Sequence, residues 1–436
     1  MLHNIAKKGQ LLFLFSFAAL MLLGTFLLKL PWIMKSGIPM SWTDAVFMAT
    51  SAVCITGLTT VPLHEMSFAG QFLIVLMVQT GGIGIMTLSA SILLALGKGL
   101  SFSDTLMFSS LNDNFSLRGT EGLTRTVIRY SLAAEGIGAV IIYTGLLFNG
   151  GNWLLSVWHA VFIAVTSFCN AGMTPFADNM VSQHLLTRLG CAGLVIFGGL
   201  GVYVIYDLCI VLKKKKAALR LHSKVVIGMT LALLAAGTLL LKYFGLKDQA
   251  ELSWTDALFL SISSRTAGFS TFEVSQLSDT ALLTTMILML IGASPGSTGG
   301  GMKTTTIAVA AAAIWNTFKG NQQVLMFKRE IPHSEVLRAF SIIVIFLLIT
   351  YAGAVSVQLL SPETDLSAIL FESISALTTT GLSFDNTTSA LRDPAKIMLS
   401  VLMYVGRMGP FTIMLFLLSK EKRSTLKYPQ ERVIIG

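Results

Sequence analysis

The chain has 436 residues, of which 53% are hydrophobic and only 12% charged, with a net charge of +9 and a mean hydropathy of +0.73. Soluble domains carry about a quarter charged residues, so the composition excludes a soluble enzyme, a disordered chain and a small disulfide scaffold, and points to a bilayer as solvent. Lys and Arg fall in short runs between apolar stretches, the pattern that orients a membrane protein rather than one that binds nucleic acid.

Eight stretches are long and apolar enough to cross: near 11–30, 70–96, 126–148, 187–212, 225–246, 281–314, 337–360 and 395–419. The first reads as a span and not as a cleaved leader, because no small-residue cleavage site follows it. Four cysteines in or beside these stretches read as free thiols. Within each consecutive pair of spans lies a shorter, mixed segment: 41–57, 153–172, 253–268 and 366–381. Each falls short of the roughly 20 helical residues a crossing needs. Each ends in a stretch rich in Thr, Ser or Asn that contains Gly, as expected of a half-helix that enters the membrane and turns back.

Internal repeats fix the predicted architecture. Ser41-Trp42-Thr43-Asp44-Ala45-Val46-Phe47 reappears as Ser253-Trp254-Thr255-Asp256-Ala257-Leu258-Phe259. The short segments align on Gly57, Gly172, Gly268 and Gly381. Phe47, Phe162 and Phe371 precede their glycine by ten residues, and Phe259 by nine. A second landmark follows 24, 26, 24 and 25 residues after the loop glycine: Gly81-Gly82-Ile83-Gly84, Gly198-Gly199-Leu200-Gly201, a broken Gly292-Ala293-Ser294-Pro295, and Gly406-Arg407-Met408-Gly409. The expected fold is an all-α polytopic membrane protein with four pseudo-repeats of helix, re-entrant pore loop and helix around a central pore. The units are 1–97 (pore loop 41–60), 98–222 (153–175), 223–335 (253–271, with a broken second helix over 281–314), and 336–436 (366–384, with a cytoplasmic tail). Of the 31 Lys and Arg, 21 lie near the termini and in the connections between units, seven on the side of the loop mouths, and Arg265, Lys303 and Arg407 at membrane depth. Both termini are therefore expected in the cytoplasm, with the loops opening outward.

Irregular backbone at membrane depth survives only where protein buries it or a wet cavity borders it. The predicted filter comprises Cys54, Ile55, Thr56 and Gly57; Cys169, Asn170, Ala171 and Gly172; Thr266, Ala267 and Gly268; and Thr379, Thr380 and Gly381. Four such loops about one axis offer peptide oxygens that replace the hydration shell of a monovalent cation, K+ or Na+. The carbonyls of Thr56, Asn170, Thr266 and Thr380 are the predicted ligands. Each half-helix would also aim its negative end at the ion. The loops carry no ring of Asp or Glu, as divalent-cation pores do, and no ring of Lys or Arg, as anion pores do. The ordinary alternative, that these glycines are simple turn residues, fits one loop but not four in register.

The run from Ile291 to Thr304 holds Pro295 and five glycines (Gly292, Gly296, Gly299, Gly300 and Gly301), followed by Lys303. It cannot form a continuous helix. Met302 before Lys303 and the lack of a βαβ setting exclude a nucleotide loop. The segment reads as a movable gate just below the filter, with a static kink as the plainer alternative. Arg407 stands in register with Gly82, Gly199 and Ala293. An intramembrane guanidinium costs about 3 kcal/mol or more, so it is assigned to the cavity under the filter, against the broken helix, as a barrier to cations. A buried pairing with Asp207 or Glu135 is the alternative. Arg265 is expected to brace the third loop and Lys303 the cytoplasmic end of the break.

These motifs, over essentially the whole chain, resemble the Trk/Ktr/HKT superfamily of K+ transporters, and within it the Ktr-type membrane subunit. The resemblance implies that Gly57, Gly172, Gly268 and Gly381 form the filter, that a Gly rather than a Ser at 57 favours K+, that an intramembrane loop occupies the break, and that Arg407 belongs to its motif. It implies K+ uptake across the plasma membrane, with no covalent cofactor. Na+ dependence or symport stays open. It also implies a homodimer on a cytosolic RCK-type ring that binds ATP, ADP or NAD. Contacts are expected at 213–224, 319–335 and after Ser419, stretches that suit anionic membrane lipids equally well. A Na+- or H+-coupled transporter of another solute is the rival reading. It requires inverted repeats and midplane carboxylates, whereas these repeats run in one direction. An embedded enzyme would need clustered His, Asp or Cys, which the sequence lacks.

Overall fold

A computed structural model describes residues 2–96, 118–213, 218–247, 252–385 and 387–409, with side chains described within 14–84, 127–212, 218–247, 252–385 and 387–409. Lys98, Lys214 to Lys216, residues 410–419 and the tail after Ser419 lie outside the described residues. The helices in chain order are α1 (Leu2–Leu28), α2 (Trp42–Cys54), α3 (Phe68–Leu96), α4 (Arg118–Phe148), α5 (Trp153–Phe168), α6 (Leu185–Leu200), α7 (Val202–Lys213), α8 (Leu221–Phe244), α9 (Trp254–Thr266), α10 (Asp279–Leu290), α11 (Thr304–Phe318), α12 (His333–Leu360), α13 (Leu366–Thr378), α14 (Thr387–Ala390) and α15 (Asp393–Met408). A small antiparallel hairpin, β1 (Val324–Met326) and β2 (Arg329–Ile331), joins α11 to α12. Its two-residue turn, Phe327-Lys328, has positive φ at both positions, the geometry that matches strand twist.

Helices α2, α5, α9 and α13 run 13, 16, 13 and 13 residues, about 20–24 Å at the helical rise and less than a hydrocarbon core. Each starts on a polar side chain that accepts from the first turn: Ser41 from Asp44 N (3.0 Å), Asn152 from Leu154 N (3.0 Å), Ser253 from Asp256 N (3.1 Å) and Asp365 from Ser367 N (3.1 Å). Their first residues, Trp42, Trp153, Trp254 and Leu366, are exposed, whereas the second half of each helix, from Phe47, Phe162, Phe259 and Phe371 onward, is buried. An amphipathic ring at the interface and an apolar end inside suit a helix that enters a membrane from one face. Two ion pairs tie these starts to neighbouring units: Asp44 to Lys396 of α15 (3.2 Å) and Asp256 to Arg188 of α6 (3.0 Å).

Among the described residues, Val127–Phe148, Leu221–Phe244 and His333–Leu360 are long and apolar enough to cross a membrane. Leu185–Leu200 with Val202–Leu212 adds a fourth, bent by 96° at Gly201. The expected continuous span over 187–212 is thus broken, because Gly201 takes φ 84° and ends the helix. The expected break within 281–314 falls between α10 and α11, where residues 291–303 form an irregular loop. Apolar side chains such as Leu231, Leu239, Val344, Leu348 and Leu359 face outward, as a lipid-facing surface requires and a soluble one does not.

Candidate functional site

The loops that follow the four short helices meet. At Gly57 a Cβ would collide with the Ala171 carbonyl, at Gly172 with that of Ala267, at Gly268 with that of Thr380, and at Gly381 with that of Thr56. Each glycine therefore lies on the peptide oxygen of the next loop, and the order first, second, third, fourth closes on itself. All four also have positive φ, between 61° and 98°, a region costly for any residue with a Cβ. The geometry thus brings together the four glycines singled out from sequence.

The oxygens in that ring belong to Thr56, Ala171, Ala267 and Thr380. All four were named from sequence as filter residues, but as carbonyl ligands the sequence pointed to Thr56, Asn170, Thr266 and Thr380; in the second and third loops the oxygens in contact with a glycine are those of Ala171 and Ala267, one residue after Asn170 and Thr266. Ile55, Asn170 and Thr379, each two before its glycine, turn left-handed at φ 58°, 60° and 51°. The third loop, one residue shorter from its Phe, does without that turn: Ala267 and Gly268 both donate to the Ser263 carbonyl (2.8 and 3.2 Å). In the first and fourth loops the glycine N–H donates instead to a serine hydroxyl, Gly57 to Ser51 and Gly381 to Ser375, both at 3.0 Å. Cys54 and Cys169 are buried free thiols behind the loops.

A second set of glycines lets the following helices approach. A Cβ at Gly81 would meet the Val53 carbonyl, at Gly198 that of Phe168 and at Gly406 that of Leu377. Each of these carbonyls lies six residues after the landmark Phe, at the C-terminal end of its short helix. In the third unit Arg265 occupies that position, and its guanidinium donates to the Gly292 carbonyl (3.4 Å).

The irregular loop 291–303 lies against the inner side of this ring. Thr298 Oγ1 donates to the Phe168 carbonyl (3.1 Å) and accepts from Asn170 Nδ2 (2.7 Å). A Cβ at Gly300 would strike Thr379 Oγ1 and the Thr378 carbonyl, and one at Gly299 the Thr266 methyl. The backbone of the loop is knitted to α6 and the start of α7: Ser294 N donates to Gly199 O (3.1 Å), Thr298 N to Gly198 O (3.3 Å), and Val202 N to Gly296 O (3.2 Å). The bend at Gly201 and the broken helix therefore satisfy each other's orphaned backbone groups. This coupling was not anticipated from sequence, since the same Gly-Gly-x-Gly run in α3 stays helical through Gly84.

Three cations donate into this loop. Arg407 donates to the Thr298 carbonyl, Arg265 to Gly292 O, and Lys303 Nζ to Gly299 O (2.7 Å). Among the described residues none of the three has an acidic partner in an ion pair. Asp207 instead takes the Arg220 N–H (3.0 Å), and Glu135 takes Gln79 Nε2 on both oxygens (3.0 Å each), so neither serves Arg407. Among the described residues Arg407 Nε and Nη2 have no hydrogen-bond partner.

On the other side of the ring a cavity of about 660 Å³ opens. Gly57, Gly172, Gly268 and Gly381 border it, as do Asp178, Glu273 and Asp385. The carboxylates follow their glycines by six, five and four residues. They were missed from sequence because they lie beyond the loops, where spacing gives no sign of a shared cavity.

The chain matches the TrkH family, described as "Cation transport protein", over residues 16–426. It is 35% identical to Ktr system potassium uptake protein B of Vibrio alginolyticus, covering 99% of this chain and 96% of that protein. It is 34% identical to the potassium/sodium uptake protein NtpJ of Enterococcus hirae, covering 96% and 95%. Its fold is similar to the crystal structure of the potassium transporter TrkH from Vibrio parahaemolyticus, with a TM-score of 0.74 at 19% identity, over 94% of this chain and 85% of that one.

Proposed function

The chain belongs to the TrkH family of cation transport proteins, and on that premise we propose that it is the pore-forming membrane subunit of a K+ uptake system of the Ktr kind. The observation that carries this reading is the closed ring in which each of four glycines rests on the next loop's peptide oxygen. A dehydrated alkali cation needs such a set of carbonyls in place of water. The proposed ion layer is formed by the oxygens of Thr56, Ala171, Ala267 and Thr380, with the Asn170 and Thr266 carbonyls one step inward. The units 1–97, 98–222, 223–335 and 336–436 act as four quarters of one pore. The wide mouth with Asp178, Glu273 and Asp385 faces outside, and both termini face the cytoplasm.

The loop 291–303 acts as the gate, held shut from below by Arg407 and Lys303. A homodimer on a cytosolic ring sensing ATP, ADP or NAD would open it, through 319–335 and the basic stretches. Expression in cells deficient in K+ uptake tests the reading. Growth at low external K+ is expected when the chain and a cytosolic partner are present, together with Rb+ uptake driven by membrane potential. No rescue and no Rb+ uptake would overturn it.

A further inference from the structure

The residue after each landmark Phe is Met48, Ile163 and Leu260 in the first three short helices and Glu372 in the fourth. A carboxylate buried at such a place is costly unless donors surround it. Glu372 is fully buried, and its donors come from one segment, the stretch just past Gly381. Oε1 accepts from Ser383 Oγ (2.5 Å) and Phe384 N (2.9 Å), and Oε2 from Thr388 Oγ1 (2.8 Å). The two hydroxyls lie 3.1 Å apart. Asp385, between them, accepts from Ser275 N of the third unit (3.4 Å). The outgoing limb of the fourth loop is therefore clamped from behind, to its own short helix.

That limb begins at the ring. Gly381 rests on the Thr56 carbonyl, and the Thr380 carbonyl lies against Gly268, so a shift of this loop moves the oxygens on both sides of it. A hydrogen bond contributes about 1 kcal/mol net, and three of them converge on this one side chain. We infer that Glu372 is a positioning residue for the fourth loop: its carboxylate holds Thr380 and Gly381 in register with the first and third loops, and so sets the discrimination between K+ and the smaller Na+. Where cavity size sets the choice of ion, a loosened ring can contract around Na+ and a held one cannot. The inference rests on the ring being the ion filter.

The test uses the full-length chain in vesicles and reads the ratio of Rb+ to Na+ uptake, which does not depend on the amount of active protein. Glu372→Met installs the side chain of the first unit. It is expected to lower the ratio about ten-fold, because it removes all three hydrogen bonds, each worth about 1 kcal/mol, and part of that loss falls on one ion alone. Glu372→Gln keeps an acceptor for Ser383 and Phe384 and offers its amide to the Thr388 hydroxyl, so its ratio stays within about two-fold of wild type. A wild-type ratio in Glu372→Met overturns the inference. Should that variant not accumulate, Thr388→Val removes one donor and is expected to lower the ratio about three-fold; no change there overturns it equally. Wild-type protein that carries neither ion would instead sink the functional reading itself.

Discussion

Arg407 is the residue whose surroundings most constrain its work. It donates to a carbonyl of the irregular loop, and two of its nitrogens, in a buried place, find no hydrogen-bond partner among the described residues. A unit charge about 6 Å from a passing cation opposes it by about 3 kcal/mol at an effective dielectric constant near 20. Removing it should therefore open a leak. We predict that Arg407→Gln raises Rb+ uptake about ten-fold or more in vesicles without an activating ligand, while Arg407→Lys keeps it low. Equal or lower uptake in the Gln variant would refute the barrier role. The loop glycines make the opposite prediction. Gly172→Ala forces a Cβ onto the Ala267 carbonyl at φ 61°, with about 1–2 kcal/mol from the backbone conformation alone and the collision in addition. Uptake should fall at least ten-fold with the protein still in the membrane by immunoblot; full activity would show that the ring is more pliable than its packing implies.

At the scale of elements, the four short helices were legible because two landmarks recur: a Phe that is buried and a glycine that abuts the next loop. Even the one-residue shortening of the third unit was visible as a Phe-to-Gly spacing of nine, and it appears as a missing left-handed turn. The bend between α6 and α7 was not legible. Gly84 and Gly201 share a motif, yet a Cβ at Gly84 would meet only the ring of Phe17 at 3.8 Å, whereas one at Gly201 would strike the Pro295 carbonyl at 2.6 Å; local sequence does not encode that close approach between loop and helix. The second-landmark glycines give a test within one kind of element. A Cβ at Gly406 would strike the Leu377 carbonyl, whereas one at Gly193 on α6 meets nothing within 4 Å. Gly406→Ala should cost about 1–3 kcal/mol by overpacking. Gly193→Ala should be neutral or gain up to about 1 kcal/mol of helix propensity. Thermal unfolding of the detergent-solubilised protein distinguishes them, and a reversed order would contradict the close approach of α15 to α13.

Over the whole molecule, six charged residues fall on opposite sides of the ring. Asp178, Glu273 and Asp385 border the open cavity, the ring follows, and Arg407, Arg265 and Lys303 stand behind it. The sequence had located the cations, because a charge in an apolar run stands out. It had not located the acids, because in a polar segment they look like any solvated residue. Their effect differs accordingly. A carboxylate about 10 Å from an ion in water attracts it by about 0.4 kcal/mol, near two-fold in local concentration, and salt at about 0.1 M screens it over about 10 Å. The mouth should thus raise the capture of K+ without altering its passage. In Asp178→Asn/Glu273→Gln, which spares Asp385 and its bond to Ser275, the KM for Rb+ at low ionic strength is predicted to rise about four-fold with Vmax unchanged. At about 0.3 M of an impermeant salt the two proteins should converge, since screening removes the same attraction from the wild type. A KM difference that persists at high salt would mean that these side chains touch the ion or shape the loops, and a fall in Vmax would place them in the path itself.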